Sequence, residues 1–355
     1  MMRAAARGTT ALPAGRFEPL ARVWDHDGWD IAEDTHSRLR EVAVERPRKA
    51  IAWNQSPDLG FDRAVNPYRG CEHGCIYCYA RPTHAYLGLS PGLDFETRLI
   101  ARPDAPVVLA REFGRKGYRV APLALGSNTD PWQPIEAQHR ITRALLEVLR
   151  DWRHPVTITT RGALITRDTD ILAEMAAQNL AEVGISITTL DPDLARAMEP
   201  RAPTPARRLQ TIAALRAAGV PVRLMLAPVI PGLTDHEIEP IMAAAREAGA
   251  QVAWSSLIRL PHEVHALFHD WLERHRPNHA AAVLRQIHEM RGGRANDPRF
   301  GSRFRGIGPR ASLLSQRVAL ARRRLGYAKD LPPLDCTLFG PPDGTGPAER
   351  QLSLF

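Results

Sequence analysis

Four cysteines occur in 355 residues, and three of them fall within one short segment, Cys71-Glu72-His73-Gly74-Cys75-Ile76-Tyr77-Cys78. Such close neighbours pair poorly as disulfides, so the thiols read as metal ligands in a reducing compartment. The CxxxCxxC spacing lets one loop wrap three thiolates around three irons of a [4Fe-4S] cubane. The fourth iron is then left without a protein ligand. An open iron can chelate the amino and carboxylate groups of S-adenosylmethionine (SAM), setting its sulfonium beside the cluster for one-electron reductive cleavage. That cleavage yields a 5'-deoxyadenosyl radical able to abstract hydrogen from a substrate. Gly74 relieves crowding where the loop doubles back. The rival is a zinc site on the same thiols with His73 or His84 as fourth ligand, although zinc knuckles usually repeat CxxC pairs.

The elements that must position this loop are legible as strand and helix in alternation. Short apolar runs predict strands over Ala64–Tyr68, Val120–Gly126, Val156–Thr160, Val183–Thr188, Val222–Ala227 and Val252–Leu257, with an additional extended piece over Phe95–Ala101. Amphipathic stretches between them predict helices over Ile135–Trp152, Asp168–Asn179, Pro205–Ala218 and Asp235–Ala248. Six strand-helix repeats imply a parallel sheet with right-handed crossovers, open or curled into a partial barrel. Ligand groups in such folds gather at the carboxyl ends of strands. The turns after the strands (Gly70–Cys78, Ser127–Asp130, Thr160–Arg161, Thr189–Asp191 and Pro228–Asp235) should therefore converge.

With CxxxCxxC directly after a first strand and opening a βα series, the chain resembles the radical SAM superfamily. Three stretches narrow the likeness: Asn66-Pro67-Tyr68-Arg69-Gly70-Cys71 through Cys78-Tyr79-Ala80-Arg81-Pro82-Thr83-His84, then Ser127-Asn128-Thr129-Asp130-Pro131, and Glu199-Pro200-Arg201-Ala202-Pro203. These are similar to the branch related to spore photoproduct lyase, often labelled DNA repair photolyase. The resemblance spans about residues 50–330 and implies an α/β fold, a partial (β/α)6 TIM-type barrel with a helical, basic C-terminal extension. It implies a [4Fe-4S] cluster and SAM as cofactors, an external electron donor, and Cys71, Cys75 and Cys78 as cluster ligands. Tyr77 should lie near the adenine. Ser127 takes the position of that branch's hydrogen-donor cysteine, Thr129 that of a SAM-contacting serine, and Arg161 and Ser186 those of a carboxylate-binding lysine and serine. Serine at position 127 departs from the pattern: its O–H bond is too strong to return a hydrogen atom to a carbon radical. The lyase reaction itself is thereby put in doubt, and no catalytic residue is assigned.

Charge and termini bear on partners. The net charge is +8, and residues 291–329 carry eleven Lys/Arg against one acid, Asp297. Arg299, Arg303, Arg305 and Arg310 interleave there with Phe300 and Phe304, and Arg322–Arg324 form a cluster. Such a segment suits DNA phosphates, yet it equally describes a solvated helix face or a barrel closure. The terminal Gln351-Leu352-Ser353-Leu354-Phe355 resembles the bacterial sliding-clamp motif. No stretch has the roughly 20 apolar residues of a membrane span, so the expectation is a cytoplasmic protein with no membrane partner. The expected layout is an arm over 1–50, the barrel over 51–260, the basic extension over 261–330 and a flexible linker with the terminal peptide over 331–355.

These readings favour a radical SAM enzyme acting on DNA or a nucleic-acid-associated substrate. The alternatives are a radical SAM enzyme that modifies a peptide or small molecule, and a non-enzymatic DNA-associated protein carrying Fe-S or zinc.

Overall fold

The computed structural model describes residues 7–17 and 40–342. Gln351, Leu352, Ser353, Leu354 and Phe355 lie outside the described residues. The strands are β1 (Glu41–Val44), β2 (Ile51–Trp53), β3 (Arg63–Val65), β4 (Tyr68–Arg69), β5 (Arg98–Ala101), β6 (Leu123–Leu125), β7 (Val156–Thr160), β8 (Ala181–Ser186), β9 (Val222–Val229) and β10 (Val252–Leu257). The main sheet has the order β10-β9-β8-β7-β6-β3-β2. Its six strands from β3 to β10 are mutually parallel and follow chain order, while β2 is antiparallel on β3. Helices Ala105–Phe113, Ile141–Asp151, Thr169–Ala177, Pro205–Ala217 and Ile238–Glu247 make the crossovers.

The sheet is a partial (β/α)6 barrel, and the basic segment helps to close it. The Leu257 amide at the end of β10 donates to the Phe304 carbonyl at 2.9 Å. Arg303 clamps Asp58, in the turn between β2 and β3, with donors at 2.5 and 2.8 Å. One segment thus joins the last strand to the hairpin at the opposite edge of the sheet. Inside, Val156, Ile158, Val183, Ile185, Val222 and Leu224 are buried, each stabilising the core by about 1.5–3 kcal/mol.

Four sequence expectations are revised. The first predicted strand is cut at Asn66-Pro67, leaving β3 in the barrel and β4 in a small sheet of order β1-β5-β4. Proline has no ladder donor, and the Asn66 side chain instead accepts the Asn128 and Thr129 amides at 3.1 and 3.4 Å. The helix predicted over Ile135–Trp152 breaks at Arg140, whose φ of 52° is left-handed. There Glu136 accepts the Thr142 amide at 3.0 Å and caps the second half. Part of the basic segment is neutralised by acids outside it, Arg303 by Asp58, Arg310 by Glu289 and Arg317 by Glu239. Finally, the first part of the expected linker is docked. The Asp335 amide donates to Asn179 and the Gly340 amide to Trp152, and Phe339 packs among Phe113, Tyr118, Trp152 and His154. These partners precede strands β6, β7 and β8, so the strap crosses the amino-terminal end of the barrel.

Candidate active site

The cysteine loop leaves β4 and is held at its backbone, as a loop that must present three side chains to one point requires. The Cys71 amide donates to Phe95, the Ile76 amide to Met198 and the Cys78 amide to Cys75. Arg81, fully buried, donates to the carbonyls of Cys75 at 2.9 Å, Gly74 at 3.1 Å and Gly92 at 2.9 Å, and pairs with buried Glu96 at 2.5 Å. Glu96 in turn accepts the Gly8 amide at 2.9 Å. Gly8 and Gly74 meet backbone to backbone: a Cβ on Gly8 would lie 1.8 Å from the Gly74 carbonyl oxygen, and Gly74 itself has φ +68°. Residues 7–17 therefore brace the loop from behind, with the Leu93 amide donating to Ala11 and the Ser90 hydroxyl to Pro13.

In front of the loop lies a buried charge network. Arg161, just after β7, directs Nη1 to Cys75 Sγ at 2.7 Å, to Tyr77 Oη at 2.9 Å and to Glu199 Oε1 at 3.2 Å. Its Nε and Nη2 make no hydrogen bond among the described residues. Glu199 also accepts from Tyr77 Oη and from the buried Arg208 guanidinium, and from Thr188 at 3.2 Å. Burial alone would raise the Glu199 carboxyl, but Arg208 and Arg161 together hold it down to about 2. Arg208 is fixed by the carbonyls of Pro203 and Ser186 at 2.9 and 3.1 Å. A second carboxylate, Asp130, accepts the Thr160 hydroxyl at 2.6 Å and the Arg161 amide at 2.8 Å, and lies 3.4 Å from His73 Nδ1. Opposing burial, His73 and these donors keep Asp130 well below the usual carboxylate range.

The donor set fits a cubane. Burial pushes the Cys71 thiol up, with Asp130, Cys75 and Cys78 adding to the effect, and pushes Cys75 up to about 12 against the pull of Arg161. Three thiols in one another's fields become thiolates only with added positive charge, which iron supplies. Of the two histidines of the zinc alternative, His73 turns Nδ1 to Asp130 and His84 holds Nε2 3.0 Å from the Arg98 carbonyl. No group of three or more His, Cys, Asp or Glu among the described residues is arranged around a single metal ion. A cubane differs in needing one sulfur per iron corner.

Sequence reasoning placed Cys71, Cys75, Cys78, Tyr77 and Arg161 together, and the structure joins the last two to Cys75. Ser127 sits at the carboxyl end of β6, its Oγ 3.5 Å from Asn66 Nδ2 and its carbonyl accepting from Tyr79 Oη. Thr129 is buried and spends its hydroxyl on the Tyr68 carbonyl at 3.0 Å. Ser186, buried at the end of β8, offers its carbonyl to Arg208. The sequence reading missed Arg81, Glu96, Arg208 and the role of Glu199. Arg81 and Glu199 stood in the motif stretches, and Glu96 and Arg208 in a predicted extended piece and helix, but their spacing gave no sign of the partners.

The radical SAM superfamily model matches residues 65–245. Uncharacterized proteins of Mycobacterium tuberculosis and Mycobacterium bovis are 38% identical over 244 residues, 68% of this chain and 70% of each of theirs. An uncharacterized protein of Methanocaldococcus jannaschii is 25% identical over 197 residues, 56% of this chain and 71% of that protein. The solved structure of spore photoproduct lyase complexed with dinucleoside spore photoproduct superposes with a TM-score of 0.55 at 14% identity, covering 80% of this chain and 79% of that one. That likeness is one of fold. On the family match, the relatives and the cysteine loop, the chain belongs to the radical SAM superfamily, enzymes that use a [4Fe-4S] cluster and SAM.

Proposed function

We propose that Cys71, Cys75 and Cys78 hold the cluster, that Tyr77, Ser127, Thr129, Arg161 and Ser186 surround SAM, and that the substrate is a nucleic acid. Bound there, the cluster and SAM supply a 5'-deoxyadenosyl radical that abstracts hydrogen. The chain's own residues do the positioning. Arg161 keeps Nε and Nη2 for the SAM carboxylate while Glu199 fixes its other donor, and Asp130 ties the turns after β6 and β7 to the loop. Ser127 cannot return a hydrogen atom as a thiol does, so a reaction other than thymine-dimer reversal is favoured.

The observation that carries the reading is the Arg161 guanidinium, held by Glu199 at the cysteine loop with two donors unspent. For the substrate the support is the basic extension, the fold shared with an enzyme solved with a dinucleoside, and the terminal peptide that resembles the sliding-clamp motif. A reducing cytoplasm suits four free thiols, and no helix among the described residues is long and apolar enough to cross a membrane. The test is isotope transfer. Reconstituted protein, SAM and reductant are incubated with perdeuterated oligonucleotide, and deuterium should appear in 5'-deoxyadenosine. Uncoupled cleavage with no deuterium from any nucleic acid would remove the substrate assignment.

A further inference from the structure

Arg259 lies two residues beyond β10, at the same end of the barrel as the cysteine loop. Its guanidinium carbon is 5.9 Å from the ring centre of Tyr79, the residue after Cys78, and 5.2 Å from that of Phe304. Tyr79 bridges in turn to the Ser127 carbonyl after β6. Arg259 thus sits at the seam where the two ends of the curled sheet meet, beside the mouth of the site.

Unlike Arg299 and Arg303, this cation has no counter-ion among the described residues, and unlike Arg291 it has no carbonyl partners. Arg303 takes both oxygens of Asp58, and Arg299 takes both oxygens of Asp297. Arg291 is satisfied by the carbonyls of Leu257, Ile258, Ser302 and Arg303. Arg259 has no carboxylate within ion-pair distance among the described residues, and its Nε is buried with no hydrogen-bond partner. Burial and then the charge of Arg303 act against its protonated form, with Tyr79 and Asp58 opposing them. A partly buried guanidinium without an ion-pair partner costs stability unless something anionic completes it. Its aromatic walls offset part of that cost and fix its plane. Of these walls Tyr79 is 49% exposed, and Trp254, 38% exposed, meets the Phe304 ring edge-on at 5.9 Å, while Phe300 lies under the Arg303 guanidinium.

A fixed guanidinium with vacant donors, flanked by an exposed aromatic ring, matches one repeating chemistry: a phosphodiester with a ring on either side. We propose that Arg259 is a substrate anchor, taking a backbone phosphate of a single-stranded or locally unstacked nucleic acid while a flanking base lies against Tyr79. This inference rests on the nucleic-acid reading above and gives it a place on the surface. A free carboxylate or inorganic phosphate is the competing occupant.

The experiment is fluorescence anisotropy of a labelled single-stranded oligonucleotide with the full, reconstituted chain, titrated across salt concentrations. Wild type should bind. Arg259→Gln should weaken binding at least tenfold and reduce the slope of log K against log salt by about 0.7. Arg259→Lys should recover little, because a flexible ammonium keeps the charge but loses the planar fit between the rings. Arg111→Gln, an exposed position on the helix Ala105–Phe113, should stay within about twofold of wild type. A second readout guards against a folding defect: without ligand, Arg259→Gln should melt no lower than wild type, since it removes an uncompensated cation. Wild-type-like oligonucleotide binding by Arg259→Gln, a loss no larger than that of Arg111→Gln, or a lowered melting temperature would each overturn the anchor and leave the nucleic-acid reading standing. Inorganic phosphate competing as well as the oligonucleotide, strand for strand, would make it a small-anion site and also overturn it. Failure of wild type to bind any oligonucleotide at low salt would remove both readings together.

Discussion

Glu199→Gln keeps the shape of the side chain and deletes its charge, leaving the guanidiniums of Arg161 and Arg208 buried against each other beside Cys75. Two routes give the size of the effect. A carboxyl that titrates near 4.5 when free and at about 2 in the fold contributes roughly 3 kcal/mol of stability at neutral pH, at about 1.4 kcal/mol per pK step. Breaking a buried ion pair by removing one partner costs about 3–5 kcal/mol. The two agree, so denaturant unfolding under anaerobic conditions should show Glu199→Gln less stable by roughly 3–5 kcal/mol at neutral pH. The pH dependence has a definite sign. Because the folded value lies below the free one, the contribution is complete above about pH 4.5 and is lost as pH falls towards 2. The gap between wild type and variant should therefore narrow on acidification through that window. A variant within about 1 kcal/mol of wild type at neutral pH, or a gap that widens in acid, would refute the network as described.

Further outcomes follow from the same geometry. Cys75→Ala should lose the cluster's visible absorption and all reductive cleavage of SAM, as measured by 5'-deoxyadenosine formation, while retaining the barrel's far-UV circular dichroism. Arg81→Met strands the buried Glu96 and frees the carbonyls of Gly74 and Cys75, so it should cost about 3–5 kcal/mol and lower iron loading, read by denaturation and iron analysis. Phe339→Ala opens the aromatic group at the base of the barrel, where Phe339 is partly buried, and should cost about 1–3 kcal/mol without changing SAM cleavage. Deleting residues 351–355 should abolish binding to a purified sliding clamp in surface plasmon resonance and leave oligonucleotide binding unchanged.

The parts of this molecule that could be read from its sequence are those governed by local pattern. Strands β7 and β10 run where their apolar residues end, and the three thiols report their chemistry through spacing alone. What escaped the sequence is held across long separations. Nothing near Arg81 announces Glu96 as its partner, and the acids that neutralise Arg303 and Arg317 come from Asp58 and Glu239. The net charge of residues 291–329 therefore overstated the field that segment presents. The Pro/Gly-rich composition after Lys329 reads as a linker, yet Phe339 finds a ring cluster assembled from two separate segments, 113–118 and 152–154. Arg161 marks the boundary between the two kinds of information. Its place after a strand was legible, whereas its contact with Cys75 depends on a carboxylate 38 positions away.

The central claim is that three thiolates leave one iron corner for SAM, and electron paramagnetic resonance of the reconstituted, reduced protein tests it most directly. The account predicts about four irons per chain and a reduced-cluster signal whose shape changes when SAM is added. A signal indifferent to saturating SAM, or a protein that takes up zinc and no iron-sulfur cluster, would contradict it.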